Sequence, residues 1–265
     1  MQCGTACLAF ILTMRKLLTW YLPVGLALLA AGVFGYGFQL TFRDDVGTVI
    51  ADPVAVASVA TPSGPIRTVV LGDSVARGTG DETGEGIGGA IDKELQRRAV
   101  KHEKHVNLGV NGAKTADLLV QLESPSVRRF VAEANVIVVS IGGNDLFGDV
   151  AGRGGERPPD PVAAMNKTEE QVANVIASIR TVNKSARIFY VGLYNPFVAS
   201  KFGAMVNPAV SEWSVRLVRR YSRDASVTIV QTYDVFSHRD RLSADRFHPG
   251  AEGYRIIGRR IGESI

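Results

Sequence analysis

Sulfur chemistry is almost missing from this chain. Its only cysteines, Cys3 and Cys7, both precede the first long apolar run. The segment that folds therefore has no disulfide and no thiolate metal site. Neither cysteine follows a lipobox-like stretch of small residues, so the pair reads as part of an incidental leader. An excess of one charge is missing too: 30 Lys and Arg against 26 Asp and Glu leave a net charge of +4. The paired arginines (Arg97-Arg98, Arg128-Arg129, Arg219-Arg220, Arg259-Arg260) have the spacing of solvated helix faces. Without a basic stripe interleaved with aromatics, the chain does not read as a nucleic-acid binder. Histidine is scarce, with four in all. His102 and His105 flank Glu103 at a spacing of three, where a zincin helix needs four, and read as solvated surface. His238 has no motif around it. No metal and no other cofactor is implied.

What the chain does have is one long uncharged run, LLTWYLPVGLALLAAGVFGYGFQL, at 17–40. As a helix it would extend about 36 Å, enough for a hydrocarbon core of about 30 Å. Arg15 and Lys16 precede it, whereas Arg43-Asp44-Asp45 follow with no positive excess. The positive-inside rule then leaves 1–16 as a cytoplasmic leader and places everything after residue 40 outside the cell membrane. A cleaved signal peptide has a shorter apolar core and a small-x-small site just behind it. The nearest such site, Ala55-Val56-Ala57, comes too late. The expectation is a single-pass signal anchor, with a secreted domain as the alternative. Met14, just ahead of Arg15-Lys16, also makes a natural start. Residues 41–65 mix small residues with Pro and Gly and read as a linker. Residues 66–265 form the folded domain.

In that domain, apolar β-branched runs recur at 66–71, 105–110, 136–141, 187–193 and 226–231. Several are continuous instead of alternating, as strands covered on both faces require. Helical periods lie between them: Ile87, Ile91 and Leu95; Val172, Val175, Ile176, Ile179 and Val182; Val210, Trp213, Leu217 and Tyr221. Strands alternating with helices predict an α/β fold with five parallel strands and helices on both faces, a three-layer α/β/α sandwich. Sites in such sheets form at the carboxyl ends of the strands.

The chemistry-bearing residues stand there. After the first run comes Gly72-Asp73-Ser74, where a helix starting near Ser74 would aim its N–H groups at developing negative charge. After the second comes "LGVNGAKT", in which Gly112 lets backbone approach a ligand. It lacks the Gly-Lys-Ser/Thr of a phosphate loop. After the third comes "SIGGNDLF", with the Asn144 amide as a donor. Beyond the fifth comes "SADRFHPGAEGY", with Asp245 three residues before His248, and Pro249 placed to start a helix. Gly84-x-Gly86-x-x-Gly89 lies too far beyond its strand to be a dinucleotide fingerprint.

These four blocks, in order over about 66–265, resemble the SGNH hydrolases, the GDSL lipase/esterase family. "GDSVARGTGDETGEG" resembles its membrane-anchored bacterial members. Val75 stands where leucine is common. The resemblance implies a flavodoxin-like sheet of order 2-1-3-4-5. It also implies Ser74 as nucleophile, His248 as base, Asp245 as its orienting acid, and an oxyanion hole of Ser74, Gly112 and Asn144. An alcohol needs a base to attack at neutral pH, and an imidazole titrates in the right range. The expected activity is ester hydrolysis through an acyl-enzyme, on small-molecule or lipid esters such as lysophospholipids. The alternatives are an O-acetylesterase for surface polysaccharide or peptidoglycan, and a catalytically silent tethered scaffold. Two stretches, 147–165 and 194–208, read as long loops that shape the site. Phe197, Phe202 and Met205 are candidates for an acyl pocket.

Overall fold

The computed structural model describes residues 19, 21–41, 64–152, 160–198 and 203–265. The chain divides into two units, Met1–Ala55 and Val56–Ile265. In the first, helix α1 (Leu22–Thr41) carries no charged residue. Its Leu22, Leu26, Leu28, Leu29, Val33 and Phe34 are exposed. It begins five residues after the apolar stretch does, where Pro23 suits a first turn. No helix among the described residues is long and apolar enough to cross a membrane. Residues 17, 18 and 20, the leader 1–16 and the linker positions 42–63 lie outside the described residues.

The second unit is built on β1 (Thr68–Gly72), β2 (Val106–Asn107), β3 (Val136–Ser140), β4 (Arg187–Val191) and β5 (Val227–Val230), in the order β2-β1-β3-β4-β5. Every pairing is parallel, with Val70 opposite Val138 and Val138 opposite Phe189 at the centre. Alternate residues along each strand face opposite layers. Val69, Leu71, Ile137, Val139, Ile188 and Tyr190 join one core, with α4 (Thr115–Glu123), α5 (Pro125–Glu133), α7 (Pro161–Val182) and α8 (Gly203–Tyr221). Val70, Val136, Val138, Phe189 and Val191 join the other, with α3 (Gly86–Arg97) and α9 (Ala251–Ser264). Both faces are dry, which is why the strand runs contain no polar alternation.

Several elements depart from the sequence reading. The run 105–110 forms only a two-residue strand, and the Asn107 side chain accepts Gly109 N–H just beyond it. The backbone still follows β1, with Leu108 N–H donating to Val70 O and Val110 N–H to Gly72 O. Helices α4 and α5, between β2 and β3, were not among the periodic stripes. Most of 147–165 is helix and not loop: α6 (Gly143–Gly152) and the start of α7 occupy it, and 153–159 lie outside the described residues. Likewise α8 takes up 203–208 of the second expected loop, with Pro208 accommodated near its start. Pro249 does not begin α9. It pairs with Leu242 in an antiparallel bridge, and Gly250 caps the helix. His105 is no solvated residue: its ring lies over Gly88, and its Nδ1 bonds Asp92 at 2.8 Å.

The end of β1 carries the tightest constraint. Gly72 has φ +134°, and a Cβ there would meet Ser140 O at 1.7 Å. The chain then turns through Asp73 into α2 (Ser74–Arg77), a single helical turn closed by Gly78 in the left-handed region. The Asp73 side chain caps this turn by accepting Val75 N–H at 3.0 Å. Only 5% of Asp73 is exposed. Burial pushes its carboxyl up to about 7, against the backbone N–H groups of Val75 and Ala76, which pull it down.

Gly72→Ala is expected to destabilise the domain by more than about 4 kcal/mol, because strain and backbone overlap coincide. A melting temperature within a degree or two of wild type would refute this close packing. For Asp73 the folded-state value lies above the unfolded one, so the native state holds the proton more tightly. Its contribution to stability is fully present below about pH 4, declines as pH rises toward 7, and is flat above. Asp73→Asn keeps the cap acceptor and removes the titration. Urea unfolding should show the variant gaining on wild type by on the order of 4 kcal/mol between pH 4 and pH 7. A constant difference over that range would mean the carboxyl is not held neutral.

Candidate active site

Ser74 sits at the first position of α2, directly beyond β1, partly exposed at the carboxyl edge of the sheet. Its Oγ lies 2.9 Å from His248 Nε2. On the other side of the ring, Nδ1 lies 2.6 Å from Asp245 Oδ2. The tautomer that satisfies both bonds carries the proton on Nδ1 and leaves Nε2 free to accept from the serine hydroxyl.

The loop holding this pair is closed on itself. Ser243 N–H donates to His248 O, Gly250 N–H to Arg241 O, and Arg246 N–H to Ser243 O. Asp245 Oδ1 accepts Ser243 Oγ at 2.5 Å and the N–H groups of Phe247 and His248, each at 2.9 Å. Burial pushes this carboxyl up, but those donors and the imidazole outweigh it, and the group is held well below the usual carboxylate range. It therefore faces the imidazole as an anion. Two tyrosines fix the loop to its neighbours: Tyr194 Oη donates to Phe247 O at 2.8 Å, and Tyr254 Oη to Thr79 O at 2.7 Å. Gly80 makes room beneath the histidine, since a Cβ there would stand 2.8 Å from His248 Cβ.

Gly112 and Asn144 come from the ends of the strands flanking β1. Gly112 has φ +78°, is exposed, and has open space where a Cβ would project. Neither its N–H nor that of Ser74 donates to an acceptor among the described residues. Asn144 opens α6, and its Nδ2 donates to Ala113 O at 3.0 Å, which leaves one amide hydrogen for another partner. The next residue completes the clasp. Asp145 accepts both Thr115 N–H and Thr115 Oγ1, the latter at 2.6 Å. On the other side, Thr79 Oγ1 donates to Asn111 Oδ1 at 2.8 Å, and Asn107 Nδ2 to Ala76 O at 3.0 Å. Polar side chains thus bind the Gly112 turn to both the serine turn and the asparagine helix.

Sequence reasoning named Ser74, Gly112, Asn144, Asp245 and His248, and the fold brings their segments to one edge. It missed this bracing set of Asp73, Asn107, Thr115 and Asp145, and it missed Phe247. Of these, only Asp73 carried a local signal, a capping acid before an apolar turn. Phe197 is half-buried, its ring 6.0 Å from that of Phe247, which in turn lies 5.0 Å edge-on from His248. Phe202 lies outside the described residues, as does the side chain of Met205, whose backbone is in α8. Among the described residues no group of three or more His, Cys, Asp or Glu could hold a metal ion.

The arrangement can draw a proton from Ser74, hold it on an imidazolium beside an anion, and offer N–H groups to a developing oxyanion. Known proteins resemble this chain in sequence and in fold. YpmR of Bacillus subtilis, described as uncharacterized, is 30% identical over 208 residues, which are 76% of this chain and 81% of that protein. The spore germination lipase LipC of Bacillus licheniformis is 24% identical over 198 residues, 69% of this chain and 92% of its own length. Among solved structures, the lipase Lip_vut3 from a goat rumen metagenome shares the fold, with a TM-score of 0.65 at 22% identity over 75% of this chain and 97% of that one. The sequence pattern of the GDSL-like Lipase/Acylhydrolase family matches residues 70–256. The chain belongs to that family and is one of its hydrolases.

Proposed function

We propose that the protein hydrolyses carboxylic esters through an acyl-enzyme on Ser74. The observation that carries this reading is the continuous hydrogen-bond chain Ser74–His248–Asp245. His248 takes the serine proton as Oγ attacks the ester carbonyl, and Asp245 steadies the imidazolium that forms. The carbonyl oxygen, now negative, meets the N–H groups of Ser74 and Gly112 and the Asn144 amide. Collapse expels the alcohol, which leaves with the proton from His248. Water then attacks the acyl-enzyme by the same route and frees Ser74 and the acid.

Lipid or lysophospholipid acyl chains are the favoured substrates. The apolar edge formed by Phe197 and Phe247 beside the base supports this, as does the likeness to a spore germination lipase. We assign the acyl wall to this edge, with Phe202 and Met205 as further candidates. The uncharged run 17–40, of which α1 is only a part, is read as the anchor of a domain on the outer side of the cell membrane, joined through residues 41–65. O-acetylesterase activity on a surface polymer is the second reading. It is favoured by fold likeness to Axe2, an acetylxylan esterase from Geobacillus stearothermophilus, with a TM-score of 0.55.

Ser74→Ala should lower hydrolysis of p-nitrophenyl butyrate by at least about 10³-fold with the melting temperature preserved, and should abolish labelling by a fluorophosphonate probe. Retained turnover with a folded variant would eliminate the mechanism. Asn144→Ala should reduce kcat by about 10²–10³-fold and move KM only a few-fold, because its amide meets charge that exists in the transition state. A change confined to KM would place Asn144 in ground-state binding instead.

A further inference from the structure

Positive φ is glycine's territory, because a Cβ there crowds neighbouring carbonyl oxygen. This domain obeys the rule at Gly72, Gly78, Gly80, Gly112 and Gly142, but Ala99, behind α3, and Arg246 break it with φ +55° and +58°, and of the two only Arg246 lies in the catalytic segment. Arg246 stands between the acid Asp245 and Phe247, two residues before the base. The turn itself requires the conformation: Arg246 N–H closes onto Ser243 O, and Asp245 Oδ1 can then collect the N–H groups of Phe247 and His248. Glycine would make that turn without strain. The position instead holds an exposed arginine whose guanidinium has no ion pair or hydrogen bond among the described residues. Strain retained in a catalytic segment points to a use for the side chain.

No carboxylate lies within ion-pair distance of that guanidinium among the described residues. Lys114, two residues after Gly112, is also exposed and has no ion pair among the described residues. The acids of these segments are hydrogen-bonded to other groups. Asp245 serves His248, Asp145 accepts from Thr115, and Asp117 accepts Lys114 N–H. Asp81 accepts from Thr83 and Gly86, Glu82 accepts Ala251 N–H, and Asp73 is buried. Two residues of chain span at most about 7 Å. Both cationic side chains therefore branch from backbone within about 7 Å of the base or of the Gly112 turn, near an ester held between Ser74 and Gly112.

We propose that Arg246, assisted by Lys114, makes this site selective for esters bearing a phosphate or carboxylate near the scissile bond. The proposal rests on the ester-hydrolase reading above. Its test uses the full-length chain and two matched pairs of substrates below their aggregation limits. A 1-acylglycerol 3-phosphate against the 1-monoacylglycerol of the same chain places the charge on the alcohol side. A p-nitrophenyl hemisuccinate against p-nitrophenyl butyrate places it on the acyl side. Wild type should favour the anionic member by kcat/KM in at least one pair, which tells on which side the charge belongs, and the preference should shrink as salt rises.

Arg246→Gly should cut that ratio about fivefold, as expected for an exposed pair of charges, and Arg246→Lys should restore most of it. The glycine variant should also melt roughly 2–4 °C higher, which separates lost selectivity from lost structure. An unchanged ratio in both pairs, or no preference in wild type at low salt, overturns the proposal. Failure of wild type to hydrolyse any of the four esters overturns the hydrolase reading instead.

Discussion

The bond from Ser74 Oγ to His248 Nε2 joins residues 174 positions apart, and most of the domain serves to keep it at 2.9 Å. Its two ends belong to different layers of construction. Ser74 is fixed by β1, which enters the site between β2 and β3 and cannot shift without breaking register on both sides. His248 is fixed by α9, whose packing along α3 decides how far the preceding loop reaches over the sheet. The two helices approach closely because Gly258 faces Ala90, where a Cβ on the glycine would stand 2.4 Å from that of the alanine. Hydrophobic burial on that face is what holds a polar contact in position on the edge.

Around that bond the site divides its electrostatics between two acids. Asp245, partly exposed and surrounded by donors, is kept ionised and faces the imidazole. Asp73 lies beside Ser74 in sequence but is buried, with its carboxyl pushed up to about 7. An ionised group under the nucleophile would oppose the negative charge that forms during ester attack. Raising the Asp73 carboxyl to about 7 keeps it protonated at acidic pH and lessens that opposition there, while it still caps the serine turn. The same residue type thus plays opposite parts, set by the number of donors each carboxyl collects and by the water each has lost.

Legibility in the sequence followed how local each property is. Strands at 136–141 and 187–193 were readable because burial on both faces makes them uniformly apolar. The extent of the edge strand was not, because its Asn107 side chain bonds Gly109 N–H on the open edge and Ala76 O of the serine turn, partners that only the fold reveals. The stretches 147–165 and 194–208 looked like loops from their Gly and Pro content, yet Pro161 opens α7 where proline is tolerated, Gly203 opens α8, and α8 carries Pro208 inside it. Ser74, Gly112, Asn144, Asp245 and His248 were legible because each follows a strand and carries unusual chemistry for its place. Asn107, Thr115 and Asp145 were not, because a bracing residue looks like any polar loop residue until its partner is known.

The amino-acid sequence by itself determined the layer architecture, the strand order implied by the family resemblance, and the residue types available for the chemistry. These depend on hydrophobic period, turn residues and short motifs, all of which act over a few positions. Tertiary structure alone decided which N–H groups stay unpaired, which carboxyl is buried and which is bonded, and that a strained arginine borders the base. Those outcomes depend on desolvation and on partners distant in the chain, and neither exists until the sheet and its two helix layers have closed.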